Sequence, residues 1–232
     1  MMINGIQNLW RFCLTIGMVA GPACSKQTST PTTSITLWNA VPNSTGYTVR
    51  LGDRFTSAGI LFNNPQYNVA VPPGTFTMSW GNTGQPADTA FTTQIPAGKG
   101  FTLLFYDSAQ RYKTWLVRTD WAQTPVAGKA FLQMLPMIMG GSNLSIENDT
   151  GRVLFSGRRF ADFANQNTMV FTQVDTTRLK LRLVQGTGAS RQVLDSFNSF
   201  GLQQGRSYTI FTSGVLGQAG NYRPRMWVYA HE

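Results

Sequence analysis

The chain has 232 residues, 42% of them hydrophobic, with 15 Phe, 7 Tyr and 6 Trp. That is enough apolar material to build folded cores, which excludes wholesale disorder. Charged residues make up only 12%, roughly half the usual share, yet the balance is +9, so an acidic partner is favoured over a basic one. The two cysteines, Cys13 and Cys24, both lie near the start, which excludes a disulfide framework in the folded part.

Taken in chain order, residues 1–23 have the pattern of a secretory signal. A single cation, Arg11, precedes a nine-residue apolar run from Phe12 to Ala20, and small residues follow. The run is far short of the ~20 residues a spanning helix needs. The stretch Gly21-Pro22-Ala23-Cys24 resembles a bacterial lipobox, with Gly21 where Leu, Val or Ile is usual. The resemblance implies lipid attachment at Cys24. Residues 24–34 are polar, without hydrophobic period, and are expected to form a flexible tether. Loss of the leader would remove Arg11 and no acid, leaving 18 basic and 10 acidic residues, a net +8.

Beyond Ser34 the apolar residues alternate. Tyr47, Val49 and Leu51 are separated by Thr48 and Arg50; Phe76, Met78 and Trp80 by Thr77 and Ser79; Leu179, Leu181 and Leu183 by Lys180 and Arg182. Period two predicts half-buried strands. Turn signals fall between them at Val71-Pro72-Pro73-Gly74, Gly81-Asn82, Pro96-Ala97-Gly98, Gly186-Thr187-Gly188 and Gln204-Gly205. The only helical hint is one short turn within 161–167.

The sequence also repeats itself. Ile95 to Leu103 matches Leu202 to Ile210 at an offset of 107; Phe76, Met78 and Trp80 match Leu179, Leu181 and Leu183 at 103; Arg111, Lys113 and Trp115 match Arg223, Arg225 and Trp227 at 112. Gly98 and Gly205 hold equivalent turn positions, where positive φ is needed. The expected organisation is a β-sandwich domain over 35–121, a linker over 122–128 and a second sandwich over 129–232.

Ile35-Thr36-Leu37-Trp38-Asn39-Ala40-Val41-Pro42, the Val71 to Met78 segment and the strand pair around Gly98 and Phe101 resemble the family called domain of unknown function 4397. The second copy is poorer, with Gln133-Met134-Leu135-Pro136 in place of the asparagine motif and Asp175-Thr176-Thr177 in place of the glycine turn. The resemblance implies an all-β fold of two tandem immunoglobulin-like sandwiches, a bacterial envelope location and no established activity. Asp88-Thr89-Ala90, Asp107-Ser108-Ala109 and Asp175-Thr176-Thr177 resemble the O-glycosylation sites of exported Bacteroidetes proteins, and are also ordinary turn sequences.

Few residues offer chemistry. The single histidine, His231, is expected in a solvated tail, which leaves no triad or soft-metal site. Glu147 and Asp149 lie two apart and are the candidates for carboxylate chemistry on a glycosidic bond or calcium, against a plain solvated loop. Trp80 is expected in the core. Trp115 and Trp227, each with basic residues on its strand face, are read as packing residues first and a ligand platform second. Arg178, Lys180 and Arg182 should line one exposed strand face as a possible anion-binding stripe, because successive side chains alternate faces. Equivalent positions in the first copy, Thr75, Thr77 and Ser79, are neutral.

The reading is an exported, lipid-anchored, non-catalytic envelope module for binding, adhesion or assembly, at the outer membrane or cell surface. Its rivals are a carbohydrate-active enzyme using carboxylates and a structural spacer. No cofactor, metal or nucleic acid is expected. The expected partners are the membrane, through the anchor, and an anionic glycan or another envelope protein. Mass spectrometry of the native protein should find a diacylated or triacylated Cys24 at its N-terminus; an intact Met1 or a free thiol at Cys24 would defeat the anchor.

Overall fold

Strands that bury one face need a second layer to bury it against. The computed structural model describes residues 32–87, 89–97, 100–106, 113–118, 126–160, 162 and 171–231. The leader, the tether up to residue 31, Cys24 and Gly98 lie outside them, as do most of the 122–128 linker and, Asp162 apart, the 161–167 segment.

The first eight strands are β1 (Thr33–Asn39), β2 (Tyr47–Leu51), β3 (Phe55–Ile60), β4 (Gln66–Val71), β5 (Gly74–Asn82), β6 (Thr89–Ile95), β7 (Phe101–Tyr106) and β8 (Lys113–Arg118). The second eight are β9 (Lys129–Met139), β10 (Leu144–Asn148), β11 (Val153–Arg158), β12 (Thr172–Asp175), β13 (Arg178–Gln185), β14 (Gln192–Gly201), β15 (Ser207–Val215) and β16 (Arg225–Ala230). The fold is all-β, with no α-helix among the described residues. None of the described segments is a helix long and apolar enough to cross a membrane.

The strands form four sheets, ordered β3-β2-β5-β6, β4-β1-β7-β8, β12-β9-β15-β16 and β11-β10-β13-β14. The first and second make one β-sandwich, the third and fourth another, and the strand order of the second sandwich repeats that of the first with every number raised by eight. In both, the opening strand runs parallel to the seventh, β1 to β7 and β9 to β15, and all other pairs are antiparallel. The repeat offsets fall on matching rungs: Leu104 faces Trp38 and Trp115, and Phe211 faces Leu135 and Trp227.

Each sandwich has its own core. Leu37, Val49, Met78, Trp80, Leu103 and Phe105 fill the first; Leu132, Ile146, Leu179, Leu181, Leu183 and Ile210 fill the second. Trp80 is core, 2% exposed. Gly205 has φ of +75°, as its turn requires. Gly81-Asn82 is not a turn: β5 runs through it, and the chain reverses at Thr83-Gly84, where Gly84 supplies the positive φ.

A third cluster joins the two sandwiches. Trp38, Leu104, Tyr106 and Val117 from the β4-β1-β7-β8 sheet pack with Leu135, Met137 and Phe211 from the β12-β9-β15-β16 sheet, and Trp115 and Trp227 pack against the edge of this cluster. Trp38 stacks on Phe211 at 4.2 Å and 18°, and meets Trp227 edge-on at 5.2 Å. The central strands of these two sheets are therefore covered on both faces, and residues 31–232 form one compact unit. That is why β7 and most of β9 and β15 are buried at consecutive positions rather than alternate ones. Continuous runs such as Leu103-Leu104-Phe105-Tyr106 carried this signal.

Truncation of Trp38, wholly buried in the shared cluster, should cost about 3–5 kcal/mol. Chemical denaturation of Trp38→Ala measures it. A cost under about 1 kcal/mol would show that the shared face contributes little.

Candidate functional site

Asn39 ends β1 and is wholly buried, which demands partners for its amide. It finds them in two loops at one end of the first sandwich. Its Nδ2 donates to Ser44 Oγ at 2.8 Å and to the Ile60 carbonyl at 2.9 Å. Its Oδ1 accepts from Val41 N–H at 2.9 Å, and its backbone carbonyl from Asn63 N–H at 2.9 Å. This is the physical content of the Asn39-Ala40-Val41-Pro42 motif: one side chain sets both the β1–β2 loop and the β3–β4 loop. The register places Pro136 on the matching rung of β9, opposite Thr212 as Asn39 is opposite Phe105, so the second copy lacks this device.

The two loops form one wall of a cleft of about 310 Å³ at the seam between the sandwiches. Asn43, Ser44, Leu61, Phe62 and Asn63 come from the first sandwich; Asn221, Tyr222 and Arg225 come from the second. Asn43 and Asn63 sit at φ of +61° and +55°, a region asparagine enters more readily than most residues. Phe62 and Tyr222 meet across the seam at 5.6 Å and 35°. Asn63 Oδ1 accepts from Ser213 Oγ, fixing the loop to β15. Further along the seam Tyr67 stacks on Tyr229 at 4.8 Å, and the Tyr229 hydroxyl donates to Asn68 Oδ1 at 2.6 Å. Burial, and then the neighbouring Tyr229, pushes the Tyr67 phenol up.

Two donors in the cleft lining stand out. Asn63 Nδ2 and Arg225 Nε are buried and have no hydrogen-bond partner among the described residues. Arg225 forms no ion pair among them either. The sequence had marked Arg225 only as part of the Arg223, Arg225 and Trp227 strand face. The fold separates these three: Arg223 is exposed, Trp227 packs on the shared cluster, and Arg225 reaches the cleft. Asn43, Ser44, Phe62, Asn63, Asn221 and Tyr222 carried no sequence signal beyond turn chemistry.

No protein-family model matches the chain, and no curated protein matches it. The solved structures that align with it include two from Bacteroides. One is a protein of the family called domain of unknown function 3823 from Bacteroides ovatus, 8% identical with a TM-score of 0.22, covering 75% of this chain and 100% of that one. The other is a candidate cell adhesion protein from Bacteroides eggerthii, 11% identical with a TM-score of 0.21, covering 87% of this chain and 95% of that one. The likeness to domain of unknown function 4397 therefore rests on the quoted motifs alone.

The other residues singled out in the sequence are dispersed. Glu147 and Asp149 are not brought together. Glu147 lies in β10, 9% exposed rather than in a solvated loop, and accepts from Arg191 Nη2 at 2.7 Å; Asp149 is exposed in the turn beyond. The bond to Glu147 pushes the Arg191 guanidinium up. His231 is docked rather than solvated: it is 9% exposed, its Nε2 is 2.7 Å from Thr209 Oγ1, and Gln133 Nε2 donates to the same hydroxyl at 2.7 Å. The histidine extends the rung pattern of β16, so the shared inner sheet buries it. Among the described residues no group of three or more His, Cys, Asp or Glu could hold a metal.

Asp175 forms an ion pair with Lys129 at 2.6 Å, and that hydrogen bond holds its carboxyl below the usual range. Thr176 Oγ1 donates to the Gly128 carbonyl at 3.2 Å, so this triplet is a structured turn. Asp88 and Asp107 lie outside the described residues. Arg178, Lys180 and Arg182 are exposed while Leu179, Leu181 and Leu183 are buried, so the cations share the open face of the β11-β10-β13-β14 sheet. Arg182 lies across from Glu147 in register.

Asn39→Ala removes three side-chain hydrogen bonds and leaves buried backbone groups unpaired. It should cost about 2–4 kcal/mol. It should also speed amide exchange in residues 43–46 and 61–64 over the rest of the chain. Uniform exchange would show that the loops hold their shape without Asn39.

Proposed function

We propose that the chain is a non-catalytic binding module of the bacterial envelope, held at the membrane through Cys24 and displaying its sandwiches at the outer membrane or cell surface. The observation that supports this reading best is the seam cleft, preformed by Asn39 and lined with amides, a hydroxyl, a guanidinium and two aromatic rings. Such a concave lining, mostly polar groups beside two aromatic rings at the boundary of two folded layers, suits capture of a polar ligand. Against the enzyme reading, the carboxylate singled out for catalysis, Glu147, is held by Arg191.

The partner we propose is an anionic envelope polymer. Arg178, Lys180 and Arg182 stand about 6.6 Å apart on one strand face, twice the strand rise. Their mutual repulsion in water is weak, on the order of half a kcal/mol per neighbouring pair, so the stripe persists without a ligand and remains open to one. The first sandwich carries Thr75, Thr77 and Ser79 at the matching positions and offers no such field.

An acidic polysaccharide titrated into the full chain across a salt series tests the stripe. Affinity should fall as salt rises, and the Arg178→Ser, Lys180→Ser, Arg182→Ser triple variant should lose most of the salt-sensitive part. Equal binding by the wild type and the triple variant would return the stripe to ordinary solvated surface.

A further inference from the structure

Among the described residues the seam cleft holds a cation and no matching anion: its lining includes the guanidinium of Arg225 and no carboxylate. Arg225 is half-buried, makes no ion pair among the described residues, and carries a buried Nε without an acceptor. A partly desolvated guanidinium gains most from a carboxylate, whose two oxygens match its fork of N–H groups. The remaining polar groups, Asn43, Ser44, Asn63 and Asn221, offer neutral amides and a hydroxyl, which exchange hydrogen bonds readily with sugar hydroxyls. Phe62 and Tyr222 give an apolar wall on which the C–H face of a pyranose ring can lie. The volume, about 310 Å³, is at the lower end of the range for small-ligand sites, roughly 300–1,000 Å³, and admits a short sugar segment rather than a protein strand.

Resting on the envelope-polymer reading above, we infer that this cleft receives an acidic sugar residue of a polysaccharide, with its carboxylate on Arg225, its hydroxyls on the asparagines and Ser44, and its ring face on Phe62 and Tyr222. The site draws on the β1–β2 loop, the β3–β4 loop, the turn before β16 and β16 itself, so the two sandwiches each supply part. Neither sandwich alone contains the site. The division also separates two tasks. The stripe on β13 acts on charge density along a polymer, whereas the cleft recognises one residue of it.

Isothermal titration of the full chain with tetragalacturonic acid, against maltotetraose as the neutral probe of equal length, tests the assignment. The wild type should bind the uronate oligomer and discriminate against the neutral one. Arg225→Gln should weaken uronate binding by about 10-fold or more, the scale of a lost charged hydrogen bond. Arg225→Lys should recover part of the loss. Asn221→Ala, on an exposed loop where folding is not at stake, should weaken binding several-fold, and thermal melts confirm that each variant is folded. The stripe triple variant should keep its affinity for the short oligomer. Equal binding of both oligomers, or a folded Arg225→Gln variant with unchanged affinity, would overturn the acidic-sugar assignment. If the intact polysaccharide binds through the stripe while tetragalacturonic acid does not bind, the cleft assignment falls and the envelope-polymer reading survives. If neither binds, both fall.

Discussion

Trp38 lies flat on Phe211, 4.2 Å between ring centroids, and most of what distinguishes this molecule follows from that contact. Two sandwiches joined by a tether would each bury one face of each sheet and leave the other to water. Here the inner sheets spend their second face on each other. The rung Trp38–Leu104–Trp115 meets the equivalent rung Leu135–Phe211–Trp227. Equivalent surfaces of two related units thus form a pseudo-symmetric interface within one chain, the arrangement that identical subunits adopt in a two-fold dimer. Large aromatic area explains why the contact holds without covalent help: there is no cysteine beyond Cys24 to reinforce it.

The shared face also creates the cleft. Loops at the end of the first sandwich could not form a concave site alone. They need Asn221, Tyr222 and Arg225 from the second sandwich opposite them, at a spacing that the packed sheets fix. Asn39 shapes the near wall through hydrogen bonds that a buried amide cannot leave unmade. The duplication has therefore diverged in a definite way. One copy keeps the asparagine and organises loops, and the other has Pro136 on that rung and contributes strand and turn residues instead.

Charge is divided in the same fashion. The second sandwich carries Arg178, Lys180 and Arg182 on its open outer sheet, and Glu147 beside them is already engaged by Arg191. The inner sheet of that sandwich turns its polar residues to structural ends, as in the chain Gln133–Thr209–His231, where Gln133 and His231 both meet the buried Thr209 hydroxyl.

The alternation of Leu179, Leu181 and Leu183 with cations was enough to place the leucines inside and the cations outside, because a strand's side-chain period admits only that arrangement against a single core. The repeat offsets were enough to foresee two copies of one strand order. Trp80 was legible as core for the same reason. Sequence could not place Trp115 and Trp227, because period two says that a residue points away from its own core and nothing about what lies beyond. The burial of His231, the ion pair of Glu147 with Arg191, 44 residues apart, and the meeting of Phe62 with Tyr222 are contacts between segments distant in the chain. Local patterning carries no record of such contacts. The first two form within single sheets of the second sandwich; the third forms only where the two sandwiches meet, and the candidate site exists only there.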